Sequence, residues 1–151
     1  MLSPRPPPPP PPTHTHSALA LLAGATAVFN QYCAIRVMKA RKAEGVAFPT
    51  LYAAGDSPSA VRFNCVQRGH QQFLENLPIT ALLVGLIAQL APRLAVGLAA
   101  TWLAGRVIYF NGYAAGDPKG RVPGAAVSAL AQLVMMVTAV VWGAKTLVVG
   151  A

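Results

Sequence analysis

Four apolar stretches follow one another along this chain, separated only by the segments 43–60, 91–93 and 116–121. In water each would have to bury its hydrophobic surface against other protein. A chain of 151 residues has too little interior to hide four of them. Lipid removes that requirement. Charge content points the same way, because 11% of the residues are charged where a soluble domain usually carries about 25%. The shortage is not that of a disordered chain, since 54% of the residues are hydrophobic. The expected fold is all-α and integral to the membrane: a bundle of four transmembrane helices over about 17–42, 61–90, 94–115 and 122–149.

The helix limits follow from local signals. Ser17 is a suitable cap for the first helix, and Ala25 and Ala27 resemble a signal-peptidase site. Helical patterning nevertheless continues to about Lys42, so a retained span is expected. Ala91, Pro92 and Arg93 make a tight connection, and Gly116 to Gly120 a second turn. Residues 1–16 read as a disordered, proline-rich tail, with an unbroken proline run from Pro6 to Pro12. Arg5, Pro8 and Pro11 match a loose SH3-ligand spacing, and His14 and His16 could touch a metal, but tail composition explains both more simply. Cys33 and Cys65 have no metal or CxxC spacing and read as small apolar fillers, so no metal is expected.

The net charge of +8 comes from twelve Lys and Arg against four acids. Most of these cations flank apolar runs, which suggests membrane orientation rather than a nucleic-acid partner. Lys39, Arg41, Lys42, Arg62, Lys119 and Arg121 gather on one side, and Arg5, Arg93 and Lys145 on the other. The larger group places the 43–60 loop and the 116–121 turn in the cytoplasm, with both termini on the lumenal or outer side.

The spans are informative where they fail to be apolar. Counted back from Leu90, the second helix is apolar only to Leu77, too short for the roughly 20 residues a crossing needs. The crossing must take in Gln71, Gln72 and Glu75 or hold them at the headgroup boundary. The third helix must include Arg106 and reach Tyr109 or Tyr113. The two helices are antiparallel with a short connection, so residues equally far from it share a depth: 90 − 75 and 109 − 94 are both 15. Arg68, Gln72 and Glu75 are spaced i, i+4, i+7, and Arg106, Tyr109 and Tyr113 i, i+3, i+7. Each set occupies one helix face. A charge in mid-membrane costs about 2.5–3.5 kcal/mol on insertion scales, so such residues face protein or a water-filled cavity. Arg68 and Glu75, two turns and about 10 Å apart along the axis, are not expected to pair simply with each other. An ion pair between Glu75 and Arg106 is the architectural alternative to a ligand. Pro78 removes a backbone hydrogen bond beside this face and could kink the helix.

The stretches FNCVQRGHQQFLENLP at 63–78 and RVIYFNGYAAGDPKGR at 106–121, with KARK at 39–42, resemble the MAPEG family, the membrane-associated proteins in eicosanoid and glutathione metabolism. The similarity covers about residues 17–145 and is nearest to the type-three microsomal glutathione transferases. It implies a homotrimer in the endoplasmic reticulum with glutathione bound between subunits near the cytoplasmic surface. By position it implies that Arg68, Gln72, Glu75, Tyr109 and Tyr113 hold the tripeptide from one subunit and that Arg41 and His70 approach from its neighbour. Arg121, or else Lys119, matches the arginine that faces the thiol, making Arg121 the catalytic candidate. The implied partners are glutathione as co-substrate, a lipophilic electrophile or lipid hydroperoxide, and membrane lipid. The chain departs from the family pattern at Gln72, commonly Asn, and at Asn76, often Tyr. A non-catalytic lipid-binding member of the same fold is the alternative. A small transporter would need the polar layer to continue into the opposite half of the membrane, where Gln89 and Thr101 stand without a charge.

Overall fold

The computed structural model describes residues 14–149 of the chain. Four helices account for most of them: α1 (His14–Ala43), α2 (Pro58–Leu90), α3 (Pro92–Ala114) and α4 (Val122–Val149). All four are long and apolar enough to cross a membrane. The expected tail lies outside the described residues except at its end, where His14, Thr15 and His16 belong to α1. Ser17 is therefore inside that helix and does not cap it.

α2 starts three residues before the expected Val61. Ser57 takes an extended conformation and its side chain accepts from the Ala60 N–H at 3.1 Å, while Pro58 fills the first helical position. Proline suits that place because its missing N–H would have no partner there anyway. The same logic moves the start of α3 to Pro92, so that Ala91 alone separates the two helices. α2 continues through Pro78, the position expected to bend it. Next to it the Asn76 side-chain amide donates to the Gln72 carbonyl, and the Thr80 hydroxyl donates to the Asn76 carbonyl, each at 2.8 Å.

α2 and α3 pack on each other, and both touch α1 on one side and α4 on the other; α1 and α4 do not meet. The bundle is thus a rhombus with α2 and α3 on its short diagonal. On the α1 side, Phe29 meets Phe73 edge-on at 5.2 Å and Phe110 at 6.0 Å, and Phe73 lies 5.8 Å from Trp102. On the α4 side, small residues bring backbones together. A Cβ at Gly124 would lie 2.1 Å from the Tyr109 nitrogen, one at Gly105 would lie 2.6 Å from the Ser128 nitrogen, and one at Gly112 would lie 2.1 Å from the Gly120 carbonyl oxygen. Gly120, Gly124 and Ser128 repeat every fourth residue, a ridge of the kind that lets membrane helices approach closely. The outward side chains of α4, including Leu130, Val137, Val140 and Leu147, are apolar and exposed, as a lipid-facing surface requires.

Candidate functional site

The close α3–α4 contact fixes where the α3 polar face points. Tyr109 and Tyr113 are buried with Cys65 of α2 and pack against Val61 and Ala125, so this face closes onto both α2 and α4. Their rings meet edge-on at 5.8 Å. On α2, Val61, Cys65, Arg68, Gln72 and Glu75 follow one another by steps of three and four, so the predicted polar face continues the face that carries Cys65. The structure therefore brings Arg68, Gln72, Glu75, Tyr109 and Tyr113 to one side of the bundle, along the inter-helix groove where α2 and α3 meet α4.

Arg106 stands at its inner wall. It is only 3% exposed. One terminal nitrogen donates to Gln72 Oε1, and the guanidinium lies 4.5 Å from the Tyr109 ring centroid and 6.0 Å from that of Trp102. Its Nε is buried without a hydrogen-bond partner among the described residues. The proposed Glu75–Arg106 pair does not form. Glu75 instead accepts from Arg68 at 2.6 Å, with the two side chains 41% and 53% exposed. The axial distance that argued against this pairing ignores side-chain reach. Helical side chains tilt towards the N-terminus, so Glu75 leans back to Arg68, whose own long chain closes the remainder. The pair is accessible and hence available for exchange with a ligand.

Arg121, just before α4, reaches the same groove. Its Nη1 donates to the Tyr113 hydroxyl at 3.2 Å, and its guanidinium lies 4.9 Å from that ring. Lys119 is exposed in the preceding turn, where its backbone N–H donates to Asp117 Oδ1 at 2.8 Å. Among the described residues its side chain makes no hydrogen bond or ion pair with the groove residues, which favours Arg121 of the two candidates.

Arg41 and His70 are elsewhere. Arg41 is nearly buried and organises the loop after α1: it donates to the Thr50 carbonyl at 2.8 Å and lies over the rings of Phe48 and Phe63 at 4.5 and 5.0 Å. His70 projects from the α1 side of α2, with Nε2 3.0 Å from Asn30 Oδ1. Within one chain neither residue reaches the groove.

Several polar residues escaped the sequence reading. Arg36 donates to the Tyr32 hydroxyl at 2.7 Å, and that hydroxyl donates to Asn111 Oδ1 at 3.0 Å, tying α1 to α3. The i, i+4 spacing of Tyr32 and Arg36 inside a span is the signal that α2 and α3 also gave, and could have exposed them. The Tyr52 hydroxyl donates to Gln71 Oε1, pinning the 44–57 loop beside Arg68. No local pattern announces that contact, because it depends on how the loop folds back.

The groove can neutralise anions and accept one ammonium group. It offers Arg68, Arg106 and Arg121 beside the carboxylate of Glu75, with tyrosine hydroxyls and the Gln72 amide between them, and Asp117 lies near enough to act on Cys65. Among known families, the model of the MAPEG family matches residues 19–141.

Proposed function

The chain belongs to the MAPEG family, a family that includes glutathione transferases and peroxidases, and is a multi-pass integral membrane protein; from that premise we propose that it is a glutathione transferase with glutathione-dependent peroxidase activity. The observation that carries the reading is the charge balance of the groove: three arginines and one glutamate on converging faces of membrane-spanning helices. Glutathione has two carboxylates, one ammonium group and one thiol. Arginine binds carboxylates through paired, charge-assisted hydrogen bonds. In this proposal Arg68 exchanges Glu75 for a carboxylate of the tripeptide, and Glu75 accepts from its ammonium group. Arg106, with Gln72 and the tyrosines, completes the cradle. Arg41 and His70 contribute only from a neighbouring subunit, in a homotrimer.

Arg121 supports the chemistry. A guanidinium beside sulfur favours thiolate over thiol, drawing a pKa of about 8.5 towards neutrality. The thiolate then forms a C–S bond with an electrophilic carbon, and the electron pair leaves on the departing group or is protonated in the adduct. With a lipid hydroperoxide the sulfur attacks the terminal oxygen and the O–O bond breaks. The alcohol departs, and a second glutathione converts the oxidised sulfur to disulfide with release of water. Apolar substrates of either kind concentrate in the bilayer. The reading also favours the type-three microsomal kind, in the endoplasmic reticulum with the groove facing the cytoplasm.

Purified protein in detergent is expected to conjugate glutathione to a generic aromatic electrophile and to gain thermal stability when glutathione is added. Absence of both turnover and stabilisation rejects the enzyme.

A further inference from the structure

The Tyr32–Arg36–Asn111 network lies where α1 meets α3, whereas the groove lies where α2 and α3 meet α4. Tyr32, Arg36 and Lys39 are spaced i, i+4, i+7, so they form one stripe of α1. Lys39 and Asn111 are exposed, Tyr32 is 38% exposed and Arg36 is half-buried. The stripe meets lipid, because Ile35 and Ile108 beside it are also exposed. Its depth follows from α3. Asn111 stands 19 residues beyond Pro92, the first residue of that helix. The interval covers about 28 Å of helix axis, against a hydrocarbon core of ~30 Å. The network therefore lies where acyl chains end and headgroup phosphates begin. Lys39, nearly one turn beyond Arg36, extends into the headgroup layer.

Two cations share this stripe, and no carboxylate of the chain answers them. Of the four acids, Glu75 pairs with Arg68, Glu44 accepts from the Ser59 hydroxyl, Asp117 accepts from the Lys119 N–H, and Asp56 is exposed in the 44–57 loop. Among the described residues the one ion pair is that of Arg68 with Glu75. Tyr32 holds Arg36 in place. Its hydroxyl accepts from Arg36 Nη1 at 2.7 Å and donates to Asn111 Oδ1 at 3.0 Å, and the guanidinium lies 5.6 Å from its ring centroid. That bond uses one of the five guanidinium donors, and an arginine fork suits phosphate oxygens. Basic pockets between membrane helices at the headgroup level bind anionic headgroups in this way. The stripe has no acid to receive an ammonium group, so it selects against headgroups that carry one. We propose that Arg36 and Lys39, with Tyr32 and Asn111, bind the headgroup of one anionic phospholipid that lacks an ammonium group, of the phosphatidylinositol type, in the leaflet at the 44–57 loop end. The two cations take its phosphate, the Asn111 amide serves a polyol hydroxyl, and the lipid's chains run past Ile35 and Ile108. This site is separate from the glutathione groove and does not rest on that reading.

Native mass spectrometry of the detergent-solubilised protein, offered equal amounts of phosphatidylinositol, phosphatidylserine and phosphatidylcholine, reads the retained lipid and the oligomeric state together. Each Lys or Arg near an anionic lipid is worth about a fivefold change in affinity. Phosphatidylinositol should therefore exceed phosphatidylcholine by about 10–25-fold, with phosphatidylserine between them. Lys39→Gln should cut the excess about fivefold, and Arg36→Gln by at least as much. Arg93→Gln removes an exposed cation from the opposite end and should leave the excess unchanged. Lys39 is exposed, so its variant keeps the test decisive even if Arg36→Gln loosens α1 from α3. Equal retention of the three lipids, phosphatidylserine held as tightly as phosphatidylinositol, or an excess that survives Lys39→Gln each overturns the proposal. An equal fall in Arg93→Gln does so too, since it would mean attraction by overall charge alone. A smaller oligomer in Lys39→Gln with unchanged lipid would make the stripe a contact between copies of the chain, and likewise overturns it.

Discussion

Arg106, Arg68 and Arg121 meet the same groove in different states, and the states separate their roles. Arg106 is buried, stacked on Tyr109 and bonded to Gln72, so it is part of the wall. Arg68 is half-exposed and held by Glu75, a pair that a zwitterion can exchange. Arg121 is exposed, with one hydrogen bond to Tyr113. A cation within about 4–6 Å of a thiol lowers its pKa by about 1–3 units, so losing it raises the pKa again and moves thiolate formation to higher pH. On the proposed function, Arg121→Ala should therefore cut the glutathione thiolate absorbance at neutral pH by about tenfold or more and shift its titration in the alkaline direction. Its effect on glutathione affinity should be the smaller one. Arg68→Ala should do the reverse, weakening binding by about 10–100-fold and leaving the pH midpoint of bound glutathione in place. Equal losses of affinity and thiolate in the Arg121 variant would show that the two arginines are misassigned.

At the scale of elements, the groove depends on α4 lying close enough to α3 to carry Arg121 to Tyr113. Gly124 sets that distance, since a Cβ there collides with the Tyr109 backbone rather than with a movable side chain. Gly124→Leu should destabilise the bundle by about 2–3 kcal/mol or more through overpacking. The detergent-solubilised variant should lose glutathione binding as Tyr109 shifts, whereas Gly97→Leu, where a Cβ meets nothing, should keep it. Retention of native stability and binding by the Gly124 variant would remove α4 from the account of the site. This close approach was not legible in the sequence, because Gly120, Gly124 and Ser128 mark a small-residue ridge without naming its partner. The polar faces were legible. Residues 68, 72 and 75, and 106, 109 and 113, share faces by helical arithmetic alone, and equal distance from Ala91 put them at similar depth. Partner choice was not: rise per residue kept Arg68 from Glu75 on paper, whereas side-chain direction and length join them. The starts of α2 and α3 were misplaced because Pro58 and Pro92 were read as loop rather than as first helical positions.

For the whole molecule, the cation distribution proposes an orientation that the bundle itself does not determine. Lys39, Lys42, Arg62 and Lys119 are exposed at the end that carries the 44–57 loop, and Arg93 is exposed at the α2–α3 turn on the opposite end. Lys and Arg are held back on the cytoplasmic side during insertion, so the proposed orientation keeps the richer end there. On that orientation and the proposed function, the groove opens to cytoplasmic glutathione. Both native cysteines are buried, so an impermeant thiol reagent should see little but an introduced cysteine. In sealed vesicles whose outer face is the cytoplasmic one, Asp56→Cys should be labelled directly, and Arg93→Cys only after the membrane is opened with detergent. Asp56 and Arg93 are both exposed, so the contrast reports the side of the membrane and not burial. The opposite pattern would invert the chain, turn the groove away from the cytoplasm, and require glutathione to come from the other compartment.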